Sequence, residues 1–168
     1  TGELSDELQA RLGEADRDDE VVVVVITGAG KAFCAGADLG DGESGFLPVS
    51  ADDDGRSRLW PYQVRKPIIA AVNGHAVGVG ITFSMLCDVR LVAENAKIQY
   101  AMVRRGVVPE LASHVILPRV IGFSKAAELM LTGRMLSGTE AAELGLASRA
   151  VPADQVLTEA MSLAADMV

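Results

Sequence analysis

Two stretches of the sequence carry almost no side chain large enough to obstruct a ligand, and each follows an apolar run: TGAGKAFCAGADL at 27–39 and NGHAVGVG at 73–80. Glycine and alanine let backbone N–H groups approach a bound atom closely. If the two stretches lie side by side, one N–H from each meets a single oxygen. The second stretch also opens a helix, whose first N–H groups already favour negative charge. Such a pair of donors is an oxyanion hole, which stabilises charge that develops in a transition state. Tight packing of strand on helix accounts equally well for either stretch taken singly. What this chemistry lacks nearby is a proton carrier. His75 is the titratable side chain of the second stretch, and inside the helix that follows, where a carboxylate would serve, there is Thr82. A phosphate loop is excluded, because that pattern needs Gly at 25 and Ser or Thr at 32, where this chain has Val25 and Ala32. A dinucleotide fingerprint fails too, since no helix pattern follows GAGKAF before Gly36.

The elements that must hold these stretches can be read from hydrophobic periodicity. Leu4, Leu8 and Leu12 recur every four residues and predict an amphipathic helix over 3–14. VVVVVI, 21–26, reads as a strand buried on both faces, as do PIIAAV at 67–72 and DVRLVA at 88–93, with a short KIQYA strand after them. Residues 40–55 are acidic and Gly-rich and read as an exposed, mobile loop. Residues 56–65 suggest a helix interrupted by Pro61. A helix is predicted from about Gly78 to Leu86, another from Pro109, and a third over FSKAAELMLTG with Ser124 as its cap and Gly133 as its stop. SGTEAAELGL is a short helix, ASRAVP a strand, and the chain is helical from Ala153. Strands alternating with helices indicate an α/β fold with covered, parallel pairing.

Length and charge narrow the function classes. The 168 residues suit one domain. The net charge of −8 is divided unevenly: residues 1–54 hold 14 acids and 3 bases, a net −11, and the remainder hold 9 acids and 12 bases, a net +3. A nucleic-acid partner is therefore not expected, whereas a local anionic ligand on the later part is. Arg65, Lys66, Arg104 and Arg105 are the bases available for one. Purely apolar runs are short, so no membrane span is expected. Cys34 and Cys87 form neither a C-x-x-C pair nor, with the two histidines, a zinc spacing. Reduced thiols fit a cytoplasmic protein.

The order and spacing of VVITGAGKAFCAGADL (24–39), KPIIAAVNGHAVGVG (66–80), CDVRLVAENAKI (87–98), GVVPE with LPRVIG (106–122) and LTGRMLSGTEAAELGLASRAVP (131–152) resemble the crotonase superfamily, the enoyl-CoA hydratase/isomerase fold. The resemblance covers nearly the whole chain. It implies a crotonase-like (ClpP/crotonase) spiral of repeated ββα units with flanking helices. It also implies one domain over 1–168 that lacks the family's N-terminal strand and C-terminal helices, acyl-CoA thioesters as substrates, and a homotrimer or hexamer.

Carried over position by position, the resemblance gives the backbone N–H groups of Ala37 and Val79 the two oxyanion-hole places. Val79 stands where the family usually has glycine; a backbone donor survives that change, but the side chain narrows the pocket. Ala35, Asp38 and Leu39 fall where the family lines the entrance for CoA and the acyl group. Hydratases of the family place one glutamate in the helix after the second stretch and another beyond the fourth strand. The matching residues here are Thr82 and Met102, and neither ionises. Glu110, in RRGVVPELASH, matches a glutamate that some isomerase-type members use as their only acid–base residue. One carboxylate is enough to move a double bond, taking a proton from C2 of a 3-enoyl thioester and returning it at C4. The other reading of Glu110 is a solvated acid in the first turn of a helix. His114 follows four residues later, which on a helix puts it on the same face; with Thr82 and Met102 it is an accessory candidate. The implied activity is Δ3–Δ2 enoyl-CoA isomerase. The alternatives are an enoyl-CoA hydratase of fatty-acid β-oxidation and a non-catalytic acyl-CoA-binding or assembly subunit. No metal or redox cofactor is implied, because coenzyme A arrives as part of the substrate.

Overall fold

A computed structural model of the chain describes residues 2–36 and 59–168. After helix α1 (Gly2–Arg17), the chain lays its first six strands alternately into two sheets, and the last two complete the second sheet and then the first. Strands β1 (Val24–Thr27), β3 (Ile68–Val72), β5 (Val89–Ala93) and β8 (Arg149–Val151) form one sheet in that order, with every pair parallel. Strands β2 (Ala32–Cys34), β4 (His75–Val77), β6 (Lys97–Gln99) and β7 (Met135–Ser137) form the other, parallel except where β7 runs against β6. Each step from the first sheet to the second is a tight corner: 28–31, 73–74 and 94–96. Helix α2 (Val79–Ser84) follows the second corner pair, and α3 (Ser113–Ile121) with α4 (Phe123–Thr132) follows the third. Helix α5 (Gly138–Glu143) joins β7 to β8, and α6 (Val156–Ala165) returns across the first sheet to pack on β1, β3 and β5. The result is the ββα spiral.

The corners are tight because side chains are missing where they would collide. A Cβ on Gly28 would lie 2.2 Å from the Ala32 carbonyl oxygen, and one on Gly74 would lie 2.2 Å from that of Lys31. Asn73 ties the first two corners together. Its Oδ1 accepts from Gly28 N–H at 3.0 Å, and its Nδ2 donates to the Gly30 carbonyl at 3.1 Å. Between the sheets and helices the core is apolar, with Ile68, Ile69, Ala70, Ala71, Leu91, Leu117, Val156 and Ala160 fully buried. Burying such side chains is the main source of stability here.

Several expectations change. The run 21–26 is a strand only from Val24, and it is half-buried rather than covered on both faces, because β1 is the edge of its sheet. The strands β2 and β4 lie in stretches read as loops, and β7 lies between two expected helices, with Ser137 in the start of the second. Residues 61–63 form one 3₁₀ turn, not part of a longer helix. The helix expected from Pro109 begins at Ser113. Gly122, not Ser124, caps α4, while Gly133 ends it at φ 57° as expected. The loop 40–55 lies outside the described residues. Among the described residues no helix is long and apolar enough to cross a membrane.

One half-buried cation braces the helix that matters most for the site. Arg90 on β5 donates Nε to the Leu146 carbonyl at 2.8 Å and Nη1 to those of Cys87 at 2.9 Å and Ser84 at 3.3 Å, the last at the C-terminal end of α2. Burial draws its pKa below the usual arginine range, yet the guanidinium stays charged. Arg90→Met fills much of the same space but strands those carbonyls. It is expected to cost about 3 kcal/mol of stability, seen as a lower urea midpoint with an unchanged slope.

Candidate active site

Strands β2 and β4 are parallel neighbours, with Cys34 opposite Ala76, so the residues that follow them emerge together. Gly36 sits at φ 106°, and a Cβ there would come 3.2 Å from the Val77 carbonyl oxygen. Gly78 has φ 55°, and a Cβ on it would lie 4.0 Å from the Cα of Gly36. The two small-residue stretches therefore run side by side, and the glycines let them do so. Gly80 continues the contact: a Cβ there would lie 2.2 Å from the Cys34 carbonyl oxygen, so the first turn of α2 rests directly on the end of β2. Val79 is the first residue of α2, a position whose N–H has no carbonyl partner one turn back. Ala35, exposed, ends the described part of the first stretch with Gly36. Ala37, Asp38 and Leu39 lie outside the described residues.

One turn into α2, the fully buried Thr82 points its hydroxyl at a carboxylate from a distant segment: Thr82 Oγ1 donates to Glu110 Oε1 at 2.6 Å. That is a short, charge-assisted distance. Glu110 is half-buried and not helical. It stands in the segment 107–112, which leaves the 3₁₀ turn Ala101–Arg105 through a bond from Val107 N–H to the Met102 carbonyl at 3.2 Å. Beyond it the chain turns through two left-handed residues, Leu111 at φ 50° and Ala112 at φ 54°. Such conformations cost non-glycine residues about 1–3 kcal/mol each and persist only where the surroundings impose them. Here Ser113, fully buried, fastens the turn: its N–H and Oγ both donate to the Glu110 carbonyl, at 3.0 and 2.7 Å. The strained turn swings the Glu110 side chain back toward α2, which a helix starting at Pro109 would not do.

The other candidates separate from this pair. His114 is the second residue of α3 and exposed, so it does not share a helix face with Glu110, which precedes the helix. Met102 is buried in the 3₁₀ turn. His75 opens β4, before the end that leads to Val79, and its Nδ1 accepts from Lys97 N–H at 3.1 Å. Cys87 is buried, and desolvation pushes its thiol up to about 12, which makes it unreactive. Arg65 is occupied by Asp16, with Nε 3.3 Å from Oδ2, and Arg104 donates to the Thr132 carbonyl at 3.3 Å. The two hydrogen-bonding hydroxyls, Thr82 and Ser113, differ in legibility. Thr82 announces itself as a polar β-branched residue in an apolar helix; Ser113 carries no such signal, because the turn it fastens is invisible in the sequence. Among the described residues no group of three or more His, Cys, Asp or Glu side chains is placed to hold a metal ion.

Comparison with known proteins agrees with this architecture. A family model described as enoyl-CoA hydratase/isomerase matches residues 1–168. The chain is 42% identical to the enoyl-CoA hydratase ACTT3 of Alternaria alternata over 98% of its own length and 56% of the relative's. It is 40% identical to a probable mitochondrial enoyl-CoA hydratase of Dictyostelium discoideum over 96% and 60%. It thus spans little more than half the length of these curated relatives. Among solved structures, a probable enoyl-CoA hydratase/isomerase from Mycobacterium abscessus superimposes with a TM-score of 0.90 at 41% identity, over 99% of this chain and 65% of that one. A monofunctional enoyl-CoA isomerase from M. smegmatis does so with a TM-score of 0.78 at 36% identity, over 97% and 70%. With the two-sheet spiral, the paired glycine stretches and the match over its whole length, the chain belongs to the enoyl-CoA hydratase/isomerase family of the crotonase superfamily.

Proposed function

We propose that this chain carries the active site of a Δ3–Δ2 enoyl-CoA isomerase. The observation that supports it is the meeting of Glu110 with Thr82, one turn beyond the Gly78–Val79 backbone. The thioester oxygen sits between the N–H groups of Val79 and Ala37. Glu110 takes the C2 proton, the electrons move into the thioester as an enolate, and the two N–H groups hold the charge. The same carboxyl group then delivers its proton to C4, and the double bond comes to rest between C2 and C3. One group acting first as base and then as acid needs no second carboxylate. That suits a chain with Thr82 and Met102 where two carboxylates would otherwise share the work. By the family resemblance we assign Ala35, Asp38 and Leu39 to the entrance, coenzyme A being held as part of the substrate. Exposed apolar residues on α4 and α6, Phe123, Leu131, Leu157 and Met161, are suited to contacts between copies in a trimer or hexamer, and the cytoplasm is the compartment we assign.

Hydration of a 2-enoyl thioester is a second reading, favoured by the hydratase names of the relatives above. The test is to offer the protein a 3-enoyl-CoA and a 2-enoyl-CoA in deuterated water. Isomerisation predicts appearance of the conjugated thioester with exchange at C2, and little water uptake by the 2-enoyl substrate. Faster water uptake than isomerisation supports hydration instead. Binding without any exchange at C2 rejects enolate chemistry and leaves an acyl-CoA-binding subunit.

A further inference from the structure

The reading above leaves open how one carboxyl group keeps its aim while it changes charge twice per turnover. We propose that Thr82 is a positioning residue that divides the labour of the two Glu110 oxygens: it anchors Oε1, so that Oε2 alone carries the proton between C2 and C4. This rests on Glu110 being the acid–base group.

The geometry supports it in three ways. The Thr82 hydroxyl has one hydrogen to give, and its nearest acceptor is Glu110 Oε1 at 2.6 Å. The carbonyls of Gly78 and Val79 both stand at 3.3 Å. While Glu110 is ionised the hydrogen belongs to Oε1. Once Oε2 has taken a proton, Oε1 becomes a weaker, carbonyl-like acceptor, and the two helix carbonyls offer the hydroxyl a second resting place. Thr82 is also wholly buried, so water does not replace the bond at no cost. Finally, charged neighbours do not compete. Helix α2 holds no titratable side chain. Arg104 and Arg105 on the 3₁₀ turn and His114 and Arg119 on α3 are exposed, Arg104 and Arg119 being bonded to the carbonyls of Thr132 and Val115. Among the described residues Glu110 makes no ion pair, and the hydrogen bond its carboxylate receives comes from Thr82.

A donor to the ionised form favours that form. Thr82→Val keeps the shape and removes the donor. It is expected to lower kcat about tenfold. It should also spoil proton return. With a 3-enoyl thioester deuterated at C2, the fraction of label recovered at C4 falls, because an unanchored carboxyl group turns and exchanges with water. Thr82→Ser restores both readings. A merely structural Thr82 lowers stability while leaving the label fraction where it was, and that result overturns the proposal. Should Thr82→Val not fold, Thr82→Ala carries the same readings. Loss of activity in Glu110→Gln with no change from Thr82→Val sinks this proposal alone, whereas an unaltered Glu110→Gln enzyme sinks the isomerase reading.

Discussion

Replacing Glu110 with Gln is expected to lower kcat by about 10⁴-fold, the upper part of the range for loss of a general acid–base group, while acyl-CoA affinity changes less than about threefold. The asymmetry follows from geometry. Gln keeps the volume and can still accept from Thr82 through its amide oxygen, so the strained turn at Leu111 and Ala112 and the Ser113 clamp on the backbone are undisturbed. What is lost is a group able to accept the C2 proton at neutral pH. Because this carboxylate acts in both halves of the reaction, exchange at C2 and product formation should fall together. Isothermal titration with a saturated acyl-CoA, beside single-turnover kinetics, separates the two quantities. A variant that turns over normally removes Glu110 from the chemistry.

The second large effect tests the backbone. Val79 is the first residue of α2, where proline is tolerated because no intrahelical hydrogen bond is lost. Val79→Pro therefore deletes one N–H donor while leaving the helix in place. Gly78, at φ 55° and ψ −122°, already lies outside the helical region that proline forbids its predecessor, so it keeps its conformation. Removal of one oxyanion-hole donor is worth about 10²–10³ in kcat. Val79→Ala, which keeps the N–H, serves as the control and is expected to stay within about threefold of the parent. Equal losses in the two variants would mean that the side chain, not the amide, matters at this position.

How far the sequence reveals this arrangement depends on the scale of the feature. The first sheet is legible, because IIAAV is apolar without alternation and VRLVA is so apart from Arg90, as strands covered on both faces must be. The second sheet is legible only at β6, within KIQYA: β2, β4 and β7 have three residues each, too few for any period to show, and two of them lie inside the small-residue stretches that read as loops. The start of α3 is not legible, because Pro109 fits the first turn of a helix and a loop equally well; the deciding feature is the left-handed pair after Glu110, which no residue type at 111 or 112 announces. The site shows the same division. That two glycine stretches converge is readable from their composition. The convergence of Thr82 with a carboxylate 28 positions away is a property of the fold, and Glu110 stood out only through its likeness to a family pattern.

Alternate placement of strands in two sheets has a consequence for how the chain reaches this shape. Parallel neighbours β1 and β3 are joined across about forty residues, and β5 meets β8 only after two strands and three α-helices have intervened. Such distant pairings must pay loop entropy before they gain contacts, which makes folding slow. The apolar face of the first sheet is closed by α6, the last helix to be synthesised of those described here. During translation the half-finished spiral therefore offers bare strand edges and an uncovered sheet to the cell, and a holding chaperone at the ribosome exit should raise the yield of native protein.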